Sequence, residues 1–372
     1  MCDLATIAGR FAPRNSIAEI REFGSGNINT TYLVTLGPRA ERHFILQRLN
    51  TKVFRNPELV MQNVSICTEH ILRCLQVTPS VISRRWEVPK VLPSRDGRDY
   101  LREPDGSFWR AISFIEGTRS FKTIKDIAHA REVGYALGLF HTLINDLPSE
   151  KLADTLEGFH ITPVYLRHYD EVLATYRGTI SAETNYCRHF IERRRDWTAV
   201  LENAKAQGKL HIRPIHGDPK IDNILMDDVT MQAVSVVDLD TVKPGLVHYD
   251  IGDCLRSGCN LLGEDGQPDA VRFETDICRA ILQGYLSGAG GFLTGNDFHF
   301  LYDSIRLIAF ELGLRFFTDY LEGNVYFRAG SKEQNLTRAL VQFRLTESIE
   351  AHETTIRTII RDALFMKKGS SP

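Results

Sequence analysis

His216-Gly217-Asp218-Pro219-Lys220-Ile221-Asp222-Asn223-Ile224-Leu225, followed by Val236-Val237-Asp238-Leu239-Asp240, is the stretch whose reading governs the rest of the chain. An aspartate sits in a polar turn, an amide follows at the mouth of an apolar run, and a second aspartate closes the next apolar run. Phosphoryl transfer needs this layout. One carboxylate accepts the proton of an attacking hydroxyl, while an Asn oxygen and a second carboxylate hold magnesium on nucleotide phosphates. Residues 224–226 and 233–237 read as short strands. A hairpin of the two brings Asn223 and Asp238 together at one edge. Asp and Asn in loops ordinarily only cap turns, but a turn requires neither this order nor this placement against strands. Lys220, two residues past Asp218, either neutralises charge on the transferring group or is simply solvated.

Toward the N-terminus, residues 20–23, 31–36 and 43–49 read as strands, and residues 57–75 carry Val60, Val64 and Ile71 at helical spacing. Residues 107–115, rich in aromatic and β-branched side chains, read as a further strand that ends at Glu116-Gly117. Between the first two strands, Gly24-Ser25-Gly26-Asn27 with Thr31 forms a glycine loop whose N–H groups can approach phosphate; a plain hairpin turn is an equal reading. Beyond Gly117 the pattern becomes helical over 126–143, 163–174, 182–206, 269–286, 297–321 and 332–366. The chain therefore reads as α+β, with a small antiparallel-sheet part over residues 1–116 and a mainly helical part over residues 117–372.

Composition narrows the field. The 372 residues are 43% hydrophobic, the make-up of an ordinary globular chain rather than a disordered one. Lys+Arg 45 against Asp+Glu 47 leaves no global basic field for a nucleic-acid backbone, so any anion site is local. The longest uncharged stretch, residues 280–296, is broken by glycines and too short to span a bilayer. The seven cysteines are scattered without a Cys-x-x-Cys pair, which argues against zinc and for a reducing compartment. With no secretory leader at the start of the sequence, a cytoplasmic protein is expected.

His216-Gly217-Asp218 with Asn223 and Asp238 resembles the motif of the aminoglycoside phosphotransferase and choline kinase family, whose fold is two-lobed and protein-kinase-like. The resemblance implies ATP and Mg2+ as cofactors, Asp218 as catalytic base and Asn223 and Asp238 as metal ligands. It also implies that His216 braces the catalytic loop, and that the nucleotide lies in a cleft near Ile115 and Glu116 with Gly24, Ser25, Gly26, Asn27 and Thr31 above it. The family places a lysine on the third strand, paired with a helix glutamate; here that position is Gln47, and Glu69 is the candidate partner. Either Gln47 hydrogen-bonds phosphate without a charge or a residue elsewhere supplies one.

A narrower likeness covers residues 24–349: Gly26 to Val34, Phe44 to Gln47, Asn223 to Asp227, Asp238 to Thr241, Asp250 to Asp253 and Arg315 to Phe327 are similar to bacterial N-acetylhexosamine 1-kinases. These enzymes phosphorylate the anomeric hydroxyl of GlcNAc or GalNAc. The likeness implies that Arg315 and Tyr326 contact a small-molecule sugar acceptor. Read without it, Glu311, Arg315 and Asp319 at i, i+4 and i+8 form no more than an ion-pair ladder. Asp253 either lines the acceptor pocket or braces the loop, and bracing is expected of Asp250. The hexosamine kinases carry Asn and Thr where this chain has Gly217 and Pro219, which leaves the acceptor open. Alternatives are a kinase of another hydroxylated metabolite (an aminoglycoside, choline, homoserine) and a nucleotide-binding pseudokinase scaffold.

Overall fold

A computed structural model describes residues 3–24, 28–37, 42–77, 84–178, 181–289 and 291–369. The chain opens with α1 (Leu4–Ala8), β1 (Ile17–Glu22), β2 (Thr30–Leu36) and β3 (Arg42–Leu49). It continues with α2 (Pro57–Val77), β4 (Val91–Leu92), β5 (Leu101–Arg102) and β6 (Phe108–Ser113). The strands form one antiparallel sheet in the order β1-β2-β3-β6-β4, with β5 also paired to β6. Period-two alternation gives the sheet two apolar faces. Val34, Phe44, Leu46, Trp109 and Ala111 pack under Ile7 and Ala8 of α1. Leu49 and Phe108 on the other face join Val60, Val64 and Ile71 of α2 in the main core.

The remainder comprises β7 (Thr118–Arg119), α3 (Ile127–Ile144), α4 (Thr162–Thr175), α5 (Ala182–Glu192), α6 (Val200–Ala206) and β8 (Arg213–Ile215). Next come β9 (Ile224–Asp227), β10 (Ala233–Val236), β11 (Lys243–Gly245), α7 (Val247–Gly258) and α8 (Thr275–Gly288). The chain closes with α9 (Gly295–His299), α10 (Leu301–Leu321), α11 (Gln334–Ala351) and α12 (Glu353–Gly369). The expected hairpin forms, with Val236 opposite Ile224 in an antiparallel pair, and Val237 N–H donates to the Asn223 carbonyl at 2.8 Å. β11 returns to pair with β8, so both ends of the polar segment are tied to sheet.

α3 begins at Asp126, whose carboxylate accepts the His129 N–H at 2.8 Å and caps the first turn. It packs on α8 through glycines at backbone contact. A Cβ on Gly134 would lie 1.9 Å from the Ile281 carbonyl oxygen, and one on Gly284 would lie 1.9 Å from that of Arg131. This platform carries the loop between β8 and β9. A second apolar cluster, with Tyr169, Phe190, Phe310, Phe317 and Phe343, fixes α10 against α4, α5 and α11.

The expected α+β architecture stands, and several element bounds change. The helix expected over 182–206 is α5 and α6 with a 3-10 turn at Arg195–Trp197 between them, and that over 332–366 breaks at His352. The helix expected over 269–286 begins only at Thr275, and that over 297–321 is interrupted at Phe300. α7 falls between the helices expected over 182–206 and 269–286, where no helix was expected. Its Val247, Ile251, Cys254 and Leu255 stand at helical spacing, and it is buried nearly all round, Asp250, Asp253 and Arg256 included. The described cysteines are unpaired, five of them buried. Among the described residues no helix is long and apolar enough to cross a membrane.

Candidate active site

The loop between β8 and β9 is fixed from behind. Asp250 of α7 accepts the His216 N–H on Oδ2 (2.7 Å) and the Gly217 N–H on Oδ1 (2.8 Å), while His141 of α3 donates to Oδ2 at 2.8 Å. His141 also meets Tyr285 Oη at 2.9 Å, so it is a satisfied core histidine and Asp250 a brace. His216 is fully buried: Nε2–H donates to the Val237 carbonyl (2.9 Å) and Nδ1 accepts the Asp218 N–H (3.2 Å). Burial holds its pKa below the ordinary imidazole value. His216 lies outside the cavity between the sheet and the helices. Gly217 has φ +89°, and a Cβ there would sit 2.6 Å from the Thr241 carbonyl oxygen. A side chain at this position would therefore press on backbone.

In front of the loop a cavity is lined by Asn29, Thr31 and Gln47 from the sheet side, and by Asp218, Lys220, Asp238 and Asp240 beneath. Asp253, Arg256, Glu311, Arg315, Tyr326 and Phe327 close the side formed by α7, α10 and the loop after it. Asn223 donates Nδ2–H to the Asp218 carbonyl at 2.8 Å and reaches Asp218 Oδ2 at 3.4 Å, which leaves its own oxygen to offer to a cation. Asp238 takes up a left-handed conformation (φ 63°, ψ 59°), rare for a residue with a Cβ and concentrated at functional sites. Lys220 Nζ lies 3.6 Å from Asp218 Oδ2 and 4.0 Å from Asp222 Oδ1.

These carboxyls are short of positive charge. Burial first, then neighbouring carboxylates, push Asp218 and Asp238 above the ordinary aspartate range, with Lys220 acting in the opposite direction on both. Asp253 is held by Arg256 (Nη2 to Oδ1, 2.5 Å), yet its Oδ2 is buried with no hydrogen-bond partner among the described residues. A donor set made only of hard oxygens, with too few cations around it, fits magnesium. Asn223 and Asp238 are the residues that would hold it.

On the side formed by α7 and α10, the ladder reading of α10 fails. Glu311 is taken by His160 Nδ1 (2.9 Å) and the Thr162 hydroxyl (2.7 Å). Asp319 accepts the backbone N–H groups of Val325 (2.8 Å), Tyr326 (2.7 Å) and Phe327 (3.0 Å) and the Asn335 amide (2.9 Å). It thereby folds the loop that presents the two aromatics. Arg315 pairs with neither carboxylate; its guanidinium lies 5.1 Å from the ring centre of Phe159, 5.0 Å from Tyr165, 5.7 Å from Tyr326 and 5.3 Å from Phe327. Each such contact is worth roughly 0.5–1 kcal/mol at a partly exposed site. The cage thus holds the cation without using up its N–H donors.

The cavity brings together Thr31, Gln47, Asp218, Lys220, Asp238, Asp253, Arg315 and Tyr326 of the residues expected from sequence. Gly24 sits apart in a left-handed turn after β1 (φ 78°), and Ser25, Gly26 and Asn27 lie outside the described residues. Ile115 and Glu116 are not on the cavity wall. The Ile115 carbonyl accepts from Thr118 Oγ1 at 2.7 Å, and that of Glu116 from Arg85 Nη2 at 2.7 Å. Glu69 is exposed on α2 and does not partner Gln47. Arg110 of β6 does: its Nε and Nη2 donate to Gln47 Oε1 at 3.0 and 2.7 Å. Sequence reading missed Arg110, Asp240, Asn29 and His160. For Arg110 the available signal was a charge inside an apolar strand; for His160 there was none.

The fold has known counterparts. Residues 19–287, well over half of the chain, match the model of the phosphotransferase enzyme family (APH). The chain belongs to that family, and its fold is kinase-like. A microcompartment-associated aminopropanol kinase is similar over 95% of this chain and 97% of its own, at 18% identity and a TM-score of 0.62. An aminoglycoside phosphotransferase from Alicyclobacillus acidocaldarius covers 97% of each chain at 15% identity, TM-score 0.61. A choline kinase from Cryptosporidium parvum covers 95% of this chain and 96% of its own at 13% identity, TM-score 0.56.

Proposed function

We propose that this chain is an ATP-dependent kinase of an uncharged sugar, with the anomeric hydroxyl of an N-acetylhexosamine as acceptor. Residues 1–116 form the nucleotide lobe and residues 117–372 the catalytic and acceptor lobe in this reading. Asp218 takes the proton as the hydroxyl attacks the terminal phosphate. A hemiacetal hydroxyl is more acidic than an ordinary alcohol, so a carboxylate is base enough. Lys220, 3.6 Å from Asp218, stabilises charge on the transferring phosphoryl oxygens. Magnesium, held by Asn223 and Asp238, would supply neutralisation of the nucleotide phosphates. Tyr326 offers a face to the pyranose C–H groups, and Asp253 Oδ2 accepts from a hydroxyl.

The observation that carries the acceptor class is Arg315. A permanent cation in the aromatic cage repels an ammonium group, and the negative charges of the nearby Glu311 and Asp253 are already matched by His160 and Arg256, although Asp253 Oδ2 stays open to a hydroxyl donor. Choline and aminopropanol, the acceptors named for two structural neighbours, carry such a group. A second reading, a kinase of another hydroxylated metabolite, has the fold in its favour. A pseudokinase scaffold has no use for Asp218, Asn223 and Asp238 together.

Phosphorus NMR of the protein with Mg-ATP and a panel of GlcNAc, GalNAc, glucose, choline, aminopropanol and an aminoglycoside tests the proposal. An anomeric phosphate from GlcNAc or GalNAc is expected. A phosphoester of an amino alcohol or aminoglycoside would replace the sugar reading with the second one, and no product with any acceptor would favour the scaffold.

A further inference from the structure

Gln47 and Arg110 stand directly opposite each other on β3 and β6, so their side chains share one face of the sheet. Arginine only donates, so the Gln47 amide oxygen must face it, and that assignment turns the amide NH2 away, toward the cavity. One of its hydrogens goes to Thr31 Oγ1 at 3.0 Å. Arg110 does not line the cavity, whereas Gln47 and Thr31 do. The guanidinium instead reaches under Gln47 to Asp240 Oδ1, in an ion pair of which the two side chains are 1% and 2% exposed. Asp240 Oδ2 accepts from Asn29 Nδ2 at 2.7 Å, and Asn29 Oδ1 accepts the Asn50 N–H at 2.9 Å. A polar chain, buried at Arg110 and Asp240, therefore runs from the sheet to the strand-end segment that bears Asp238.

We infer that Gln47 is a neutral phosphate-binding donor, and that Arg110 is the positioning residue that fixes its amide and ties it to the Asp238-Leu239-Asp240 turn. The inference rests on the kinase reading and deepens it. No Lys or Arg of the sheet lines the cavity among the described residues, so the Gln47 N–H is the group that β3 presents to an anion there. The cation stands one strand behind, its charge matched by Asp240. Binding of a triphosphate through this wall then depends on the direction of a hydrogen bond rather than on a free charge.

Gln47→Glu separates the two roles. It keeps an acceptor for Arg110, so the fold is retained, but it replaces the donor with an acceptor. Titration of the full chain with Mg-ATP and with Mg-ADP should show affinity reduced on the order of 10- to 100-fold, as expected when a hydrogen bond to a charged group is removed. The thermal midpoint should be no lower than that of wild type. Arg110→Lys, which loses the fork, should weaken nucleotide binding in the wild-type background and far less in the Gln47→Glu background, because it acts through residue 47. Unchanged affinity in Gln47→Glu, or an Arg110→Lys effect of equal size in both backgrounds, would overturn the inference. Failure of the wild-type chain to bind Mg-ATP would instead overturn the kinase reading itself.

Discussion

His160 Nε2 lies 2.6 Å from the carbonyl oxygen of Gly217, the residue immediately before Asp218. Its Nδ1 lies 2.9 Å from Glu311 Oε1, so both ring nitrogens face accepting groups, an arrangement that favours the imidazolium. It has φ 64° and contacts two rings, with Tyr249 stacked at 5.4 Å and Phe159 tilted at 4.0 Å between ring centres. The cation thus couples α10, which carries Arg315, to the catalytic loop.

Activity should fall on the alkaline side for this reason. Burial disfavours the charged ring, but the bond and charge of Glu311, the Gly217 carbonyl and the charge of Asp253 raise its pKa above the ordinary imidazole value. A raised histidine pKa means that the clamp is complete at lower pH and is lost as pH rises through the folded value. His160→Gln should lower kcat on the order of tenfold, since loop misplacement rather than chemistry is at fault, and should remove that alkaline limb. An unchanged pH profile in the variant would return His160 to a purely packing role.

Arg315→Ala should raise the KM for the sugar on the order of 10- to 100-fold and leave that for ATP alone. The same variant should begin to accept choline or aminopropanol weakly, because the repelling charge is gone. Steady-state kinetics with each acceptor measure both effects, and unchanged sugar saturation would contradict the assignment.

Asp319→Ala leaves three backbone donors without their acceptor, at a cost on the order of 1–3 kcal/mol, and releases Tyr326 and Phe327 from their place. A lower thermal midpoint should accompany a raised sugar KM, while calorimetric Mg-ADP affinity stays at the wild-type value.

Gly134→Val should destabilise by about 1–3 kcal/mol or more, because the neighbouring element is backbone and cannot rotate away. Gly291→Ala, at a site with nothing within 4 Å, is the matching control and should leave the thermal midpoint unchanged.

The β9–β10 hairpin and its flanking Asp and Asn were legible because short-range spacing alone determines which ends meet. The breaks at Arg195–Trp197 and His352 were not, because no Gly or Pro marks them and apolar periodicity continues across. The stripe Val247, Ile251, Cys254 and Leu255, at i, i+4, i+7 and i+8, did mark α7; what it did not mark is that the opposite face, with Asp250, Asp253 and Arg256, is buried as well. Arg110 acquires meaning only from the β3–β6 register, and His160 only from partners 57 and 151 residues away. Such long-range pairings leave no local mark in a sequence.

The most direct measurement is turnover and Mg-ATP affinity of Asp218→Asn, side by side with wild type. If Asp218 is the base, kcat falls about 10²–10⁴-fold while nucleotide affinity stays within about twofold. Wild-type turnover in that variant would contradict the role given to the whole loop.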